Sequence, residues 1–136
     1  MIRKFVIPFA ICAAALAVSA YAQHRDLDLH DYDDDLMRDL DKTIKYFEPD
    51  ITAGNAQGAV EDAEILQDGF RYTEKYFTKK GDADDAVKIS QQGEELIAAA
   101  IKSVGDNDFE AAAAAARDTA KTCRACHDVY KPLTKK

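Results

Sequence analysis

Apolar residues recur every three or four positions along four stretches of this chain, at about residues 31–47, 55–78, 84–104 and 108–131. In the fourth stretch the repeat consists of Phe109, Ala112, Ala116, Thr119, Cys123, Cys126 and Tyr130. This spacing is that of the buried stripe of an amphipathic α-helix, and no alternating β pattern accompanies it. The pattern predicts an all-α fold: an antiparallel four-helix bundle with short connecting loops.

Glycine and proline mark the expected ends of these helices. Each of three glycines precedes a residue that can cap the next helix, in the pairs Gly54–Asn55, Gly81–Asp82 and Gly105–Asp106. A glycine stops one helix and an Asn or Asp side chain starts the next. Pro49 is expected to disturb the first helix after Phe47, and Pro132 to end the fourth.

The first 22 residues have the form of a secretory signal peptide. Arg3 and Lys4 precede an apolar run from residue 5 to 20, and Ala20-Tyr21-Ala22 gives a cleavage signal before Gln23. The alternative is an uncleaved anchor, but 16 apolar residues are short for a span of about 20. We therefore expect residues 1–22 to be removed and residues 23–136 to form one exported, periplasmic domain without stable membrane insertion.

Charge narrows the class of partner. The 136 residues carry a formal net charge of −7, and loss of the leader, with two basic and no acidic residues, would make it −9. A nucleic-acid partner is therefore not expected, because binding phosphates requires basic patches. A protein partner attracted electrostatically would present a basic docking patch.

Three side chains near the C-terminus, Cys123, Cys126 and His127, form the sequence C-x-x-C-H. On a helix Cys126 lies about 60° to one side of Cys123 and His127 about 40° to the other, so all three share one face, within about 6 Å along the axis. A redox dithiol would normally sit at a helix N-terminus beside a strand. A zinc site needs four ligands, and His24 and His30 are the histidines that could add to this set. A plain structural disulfide between the two cysteines is a further alternative. The motif favours a fourth chemistry, covalent attachment of one haem c through two thioethers.

The stretch "CRACHDVYK" resembles that of the class II c-type cytochromes, the cytochrome c′ and cytochrome c556 family, whose form it follows through Tyr130 and Lys131. The resemblance implies a four-helix bundle holding one haem, with His127 as the proximal iron ligand. It also implies that a homodimer can form through the first two helices. Six alanines at 111–116 and Gly93 would leave room for a flat macrocycle, although alanine also simply favours helix.

Whether a side chain occupies the sixth coordination position of the haem iron distinguishes two functions. Leu36-Met37-Arg38-Asp39 is similar to the first-helix segment of cytochrome c556, which implies that Met37 is the distal ligand. His/Met ligation suits electron transfer. In cytochrome c′ the same place holds a side chain that does not bind iron, so Met37 can instead be core packing. His30 is a rival ligand placed before the helix.

We therefore expect an electron-transfer protein, not an enzyme, with a five-coordinate cytochrome c′ that binds nitric oxide or carbon monoxide as the alternative. A weak peroxidase would need a distal acid or base, for which only Asp33 or Arg38 stands near Met37.

Overall fold

The computed structural model describes residues 27–130, which fold into four α-helices with no β-strand among them. The helices are α1 (Asp34–Thr52), α2 (Ala56–Lys80), α3 (Asp84–Gly105) and α4 (Phe109–Tyr130). The all-helical prediction is confirmed for this part of the chain. The predicted signal peptide, Lys131 and Pro132 lie outside the described residues.

Each helix packs against the next one along the chain, and α1 also packs against α4. Three or fewer residues connect each helix to the next, so the chain reverses direction at each connection. Four helices in a closed ring of contacts are compatible with an antiparallel four-helix bundle. The N-terminal half of α1 and the C-terminal half of α4, far apart in sequence, therefore become neighbours.

Helix α1 differs from its prediction at both ends. It begins at Asp34, because the Asp33 carboxylate accepts hydrogen bonds from the backbone N–H groups of Asp35 and Leu36, each at 3.0 Å. It continues through Pro49 to Thr52, so the expected disturbance at Pro49 was wrong. Pro49 removes one backbone hydrogen bond near the helix end, and the helix persists because the next turn buries Ile51 completely.

The loops confirm part of the prediction that glycines end the helices. Gly54 and Gly81 adopt φ angles of 72° and 76°, a region that favours glycine, and Asn55 caps α2 by accepting from the N–H of Gly58.

Two of the predicted caps were wrong. Helix α3 starts after Ala83 with no side-chain cap, so Asp82 does not have that role. Asp106 is the C-cap residue of α3, and Asp108 caps α4 instead by accepting from the N–H of Ala111 at 3.0 Å. The loop after α3 turns at Asn107, whose φ is 58°, rather than at Gly105, so the cap lies two residues later than predicted.

The core forms two clusters. The larger one joins all four helices and contains, among others, Phe47, Ile51, Leu66 and Ile97. It extends from the middle of the bundle towards the end at which α1 connects to α2. Ala112, Ala113 and Ala116 of the alanine run belong to it, where their small side chains let α4 approach its neighbours closely. The smaller cluster, with Phe77, Ala83, Ala86, Val129 and Tyr130, closes the other end of the bundle.

Candidate functional site

The C-x-x-C-H side chains lie near the C-terminal end of α4, on the face that turns towards the other helices. Cys123, Cys126 and His127 are each half-buried, while Arg124, Ala125 and Asp128 between and beyond them are exposed. Both cysteines are free thiols. The helical spacing thus places the three side chains on one face, as predicted, at the border between core and solvent.

That face borders a small cavity of about 50 Å³ that is partly open to solvent. All four helices contribute to its lining, which consists of Met37, Leu40, Asp41, Ile44, Leu66, Phe70, Thr73, Ile89, Ser90, Cys123, Cys126 and His127. The cavity therefore brings Met37 together with the complete C-x-x-C-H set. Most of its walls are aliphatic or aromatic, which makes it a suitable environment for an apolar, planar ligand.

Burial changes the acidity of the two thiols. Loss of solvent raises the pKa of Cys123 to about 11, and it raises the pKa of Cys126 to about 11 with a smaller contribution from Cys123 nearby. Both thiols are therefore protonated at neutral pH. A redox dithiol needs the opposite shift, towards a thiolate, so the electrostatics of this site give no support to that alternative.

The other candidate ligands lie elsewhere or outside the described residues. Among residues 27–130, no three His, Cys, Asp or Glu side chains are arranged so that they could hold a metal ion. The His30 ring is within 2.6 Å of the Asp28 carboxylate on the surface and does not line the cavity. His24 belongs to the part of the chain that the structure does not describe.

Two glycines control the space around the cavity. A side chain at Gly69 would overlap Leu40, and one at Gly93 would overlap the ring of Phe70. Leu40 and Phe70 both line the cavity, so they fill the room that the two glycines leave. The cavity of about 50 Å³ is far smaller than a porphyrin, so side chains that line it would have to move to admit a haem. The sequence predicted that Gly93 leaves room for a flat macrocycle, but it did not predict that the ring of Phe70 occupies that room.

The chemistry of the donor set nevertheless fits a covalently held haem. Cys123 and Cys126 supply two thiols one helical turn apart, and the imidazole of His127 follows directly. The thioether of Met37 stands at the same cavity on another helix. Two thiols for attachment and an imidazole for the iron are the groups that a c-type haem needs, and a thioether is a suitable second iron ligand. No alanine of the run 111–116 lines the cavity, so that run serves packing.

Three hydroxyl groups are satisfied beside the cavity. Thr73 donates its hydroxyl to the carbonyl of Gly69 at 2.8 Å, so the hydroxyl of Tyr32 is the donor in its 2.7 Å bond to Thr73 Oγ1. Ser90 donates to the carbonyl of Ala86 at 2.8 Å. Burial raises the pKa of Tyr32 to about 12, so this phenol stays protonated at neutral pH. The cavity wall therefore exposes few unsatisfied polar groups to a ligand.

The position of Asp41 was missed by the sequence analysis. It follows Met37 by four residues and so shares its face of α1, where it lines the cavity and pairs with Lys45 at 2.8 Å. Its side chain is 58% exposed, so it lines the cavity at the solvent side, and the i, i+4 spacing from Met37 was the available signal. Asp33 and Arg38, the predicted candidates for an acid or base, do not line the cavity: the first caps α1 and the second pairs with Asp35.

Tyr130, which follows the C-x-x-C-H motif, packs in the smaller core cluster. Its ring centroid lies 4.9 Å from that of Phe77, and its hydroxyl hydrogen-bonds the Asp85 carboxylate. It does not line the cavity. Tyr130 therefore ties the end of α4 to the start of α3, which positions His127 one turn earlier on the same helix.

No protein-family model matches this chain, and no curated protein or solved structure is similar enough to match it. Within the described residues, no helix has the length and apolar character needed to cross a membrane.

Proposed function

We propose that this chain is an exported, periplasmic c-type cytochrome of the c′/c556 type that carries one haem and transfers electrons. The observation that supports the proposal is the cavity itself: a half-buried C-x-x-C-H set and the thioether of Met37 line the same apolar space from different helices. Neither a zinc site nor a redox dithiol accounts for that combination.

Cys123 and Cys126 would hold the group covalently. Each thiol would form one thioether bond to the haem, and this attachment would need no oxidant, because the S–H hydrogen would pass to the vinyl carbon beside the new C–S bond. Their spacing of three residues is that of the c-type haem attachment motif. Because both thiols lie on α4 next to His127, attachment would also fix where the imidazole stands.

His127 on α4 and Met37 on α1 would hold the iron of the haem. When bound, haem supplies one-electron chemistry at its iron. The protein's part is to keep a nitrogen and a sulfur donor in place on two helices packed against each other, so that little rearranges when the charge changes. The aliphatic walls Leu40, Ile44 and Leu66 would exclude water from this site.

A gas-binding cytochrome c′ is the alternative function, and one observation favours it. The residues that surround Met37 in the cavity include Leu40, Ile44 and Phe70, which offer apolar contacts and no hydrogen-bond donor. An uncharged diatomic ligand such as carbon monoxide or nitric oxide would be accommodated there if Met37 packed without binding iron.

One set of measurements tests both functions. The mass of the purified protein should equal that of the chain from Gln23 plus one haem, and the haem should resist acid-acetone extraction. Absorption spectra of the reduced protein, with and without carbon monoxide, should show a low-spin form that carbon monoxide converts poorly. A haem-free mass contradicts the proposal as a whole, whereas a high-spin protein that binds carbon monoxide at once supports the gas-binding alternative.

A further inference from the structure

A second concave surface lies beside the cavity, along the last turns of α2. It encloses about 610 Å³ and is lined by Asp31, Tyr72, Lys75, Tyr76, Lys79 and Lys80. We call it the tyrosine–lysine groove. Five of its residues follow one another along α2 at intervals of three, one, three and one, so they form one continuous stripe of that helix. Asp31 comes from the segment that precedes α1.

The groove is positive in a protein that is strongly negative. Lys80 is paired with Asp31 at 3.0 Å. The hydrogen bond from the hydroxyl of Tyr76, and after it the one from Lys80, lowers the pKa of Asp31 to about 2. Lys75 and Lys79 are exposed and have no ion pair among the described residues. Two lysine charges are therefore left over at this surface, whereas the whole chain has a formal charge of −7.

Stacked aromatic rings give the groove a firm wall. The rings of Tyr72 and Tyr76 lie 6.5 Å apart and nearly parallel, at 18°. Tyr32 packs edge-on against both, at 5.3 and 4.9 Å, and the ammonium group of Lys80 lies 5.5 Å from the centre of the Tyr76 ring. Tyrosines fixed in this way offer contact area at little cost in side-chain entropy, which is why they are enriched where proteins bind one another.

Tyr32 also links the groove to the cavity. Its ring supports the two groove tyrosines, and its hydroxyl donates to Thr73 Oγ1, a residue that lines the cavity. A chain of direct contacts thus runs from the groove through one tyrosine to the cavity wall. A protein seated in the groove would be separated from a haem in the cavity by packed side chains without a solvent gap.

From this geometry we propose that the tyrosine–lysine groove docks an acidic face of a partner protein, whose carboxylates pair with Lys75 and Lys79 while its side chains pack on Tyr72 and Tyr76. That the partner exchanges electrons rests on the proposed function; that it is acidic rests on the groove alone. At physiological salt, charges more than about 8 Å away are largely screened, so carboxylates far from the groove contribute little at Lys75 and Lys79. Of the carboxylates nearby, Asp31 is already paired with Lys80. This partner differs from the basic one that net charge alone predicts.

The test uses a synthetic hexaglutamate peptide as probe at 0.15 M salt, with hexaglutamine as the uncharged control. Backbone chemical shifts of the isotope-labelled full-length protein, as purified with any haem it carries, are followed during the titration. We expect hexaglutamate to shift resonances of residues 72–80 and hexaglutamine to leave them unchanged. Equal shifts with both peptides, shifts that map elsewhere, or the same saturation with inorganic phosphate would each overturn the proposal.

Two double charge-reversal variants distinguish the effect of the groove's own lysines on binding from the effect of the protein's net charge. Lys75→Glu/Lys79→Glu should weaken hexaglutamate binding about tenfold or more, because two attractive contacts become repulsive. The matched control is Lys42→Glu/Lys88→Glu, in which two exposed lysines outside the groove change the net charge by the same amount. Equal weakening by both variants would show that only net charge matters, and the docking proposal would fail.

The two proposals fail separately. Peptide binding is read from chemical shifts and does not depend on haem or on redox activity. A chain without haem that still binds hexaglutamate in the groove would contradict the cytochrome proposal alone. A haem-loaded chain with no binding in the groove would contradict the docking proposal alone.

Discussion

The substitution Gly93→Ala probes how the cavity wall is packed. Gly93 lies in the middle of α3, and a Cβ atom placed there would lie 2.7 Å from Cζ of the Phe70 ring, with other ring carbons closer still. Phe70 is only 8% exposed, so its ring cannot swing freely into solvent. The added methyl group must therefore push Phe70 into the cavity or force α2 and α3 apart.

Two effects of opposite sign decide the result. Replacing glycine by alanine inside a helix is favourable by about 1 kcal/mol, whereas overpacking a well-packed core costs about 1–3 kcal/mol. We expect the free energy of unfolding of Gly93→Ala to fall by about 1 kcal/mol in the haem-free chain. Gly105→Ala is the matched control, since its Cβ meets nothing within 4 Å on the same helix, and it should gain up to about 1 kcal/mol.

Urea unfolding followed by circular dichroism at 222 nm measures both variants. If Gly93→Ala is as stable as Gly105→Ala without haem, Phe70 does not occupy the space beside Gly93 and the packing argument is refuted. In the haem-loaded protein the cost of Gly93→Ala should shrink, because a haem in the cavity would already have displaced Phe70. An unchanged cost in both forms would contradict that displacement.

Three further predictions concern ligation, attachment and pH. Met37→Ala should turn a low-spin protein high-spin and let carbon monoxide bind readily, as followed by absorption spectra; an unchanged spin state would mean that Met37 only packs. Cys123→Ser and Cys126→Ser should each leave one thioether and a less stable holoprotein, measured by haem extraction and thermal unfolding; unchanged retention of haem would contradict attachment at that cysteine. Burial and the neighbouring Asp50 raise the pKa of Asp62 to about 6, from 3.8 in the unfolded chain. The folded protein therefore binds this proton more tightly than the unfolded chain. The resulting stabilisation is complete below about pH 4 and is lost as the pH rises through about 6. Asp62→Asn should remove this pH dependence and stabilise the protein at pH 7 by on the order of 1 kcal/mol, since the group is half-buried. The measurement is the urea midpoint of unfolding from pH 4 to 7. Midpoints that match those of the unsubstituted protein over this range would refute the assignment.

The helices and the C-x-x-C-H face could be read from the sequence, because both depend on local rules. A three-to-four spacing of apolar residues predicts a buried helical stripe whatever packs against it, and the stripe of α4 contains Ala112, Ala116 and Thr119 as expected. The same periodicity places Cys123, Cys126 and His127 on one face without knowledge of any other helix. Gly54 and Asn55 also follow a local rule, since a left-handed turn and a side-chain cap involve only adjacent residues.

Other features depended on which helix lies opposite, and no local rule contains that information. Helix α1 tolerates Pro49 because the turn after it buries Ile51 against other helices. Asp41 borders the cavity, and Tyr130 turns away from it to Asp85, because of the way α1 and α3 pack against α4.

The groove shows the same distinction most plainly. Its lysines and tyrosines are visible as a stripe on α2, but Asp31 and Tyr32 reach them only because the segment before α1 folds back onto that helix. Periodicity determines which residues of a helix are buried, whereas the packing of helices determines which side chains meet. For this protein the sequence predicted Cys123, Cys126, His127 and Met37 as candidate donors. Only the tertiary structure showed that all four line one cavity, that Leu40 and Phe70 line it with them, and that a positive surface lies one tyrosine away.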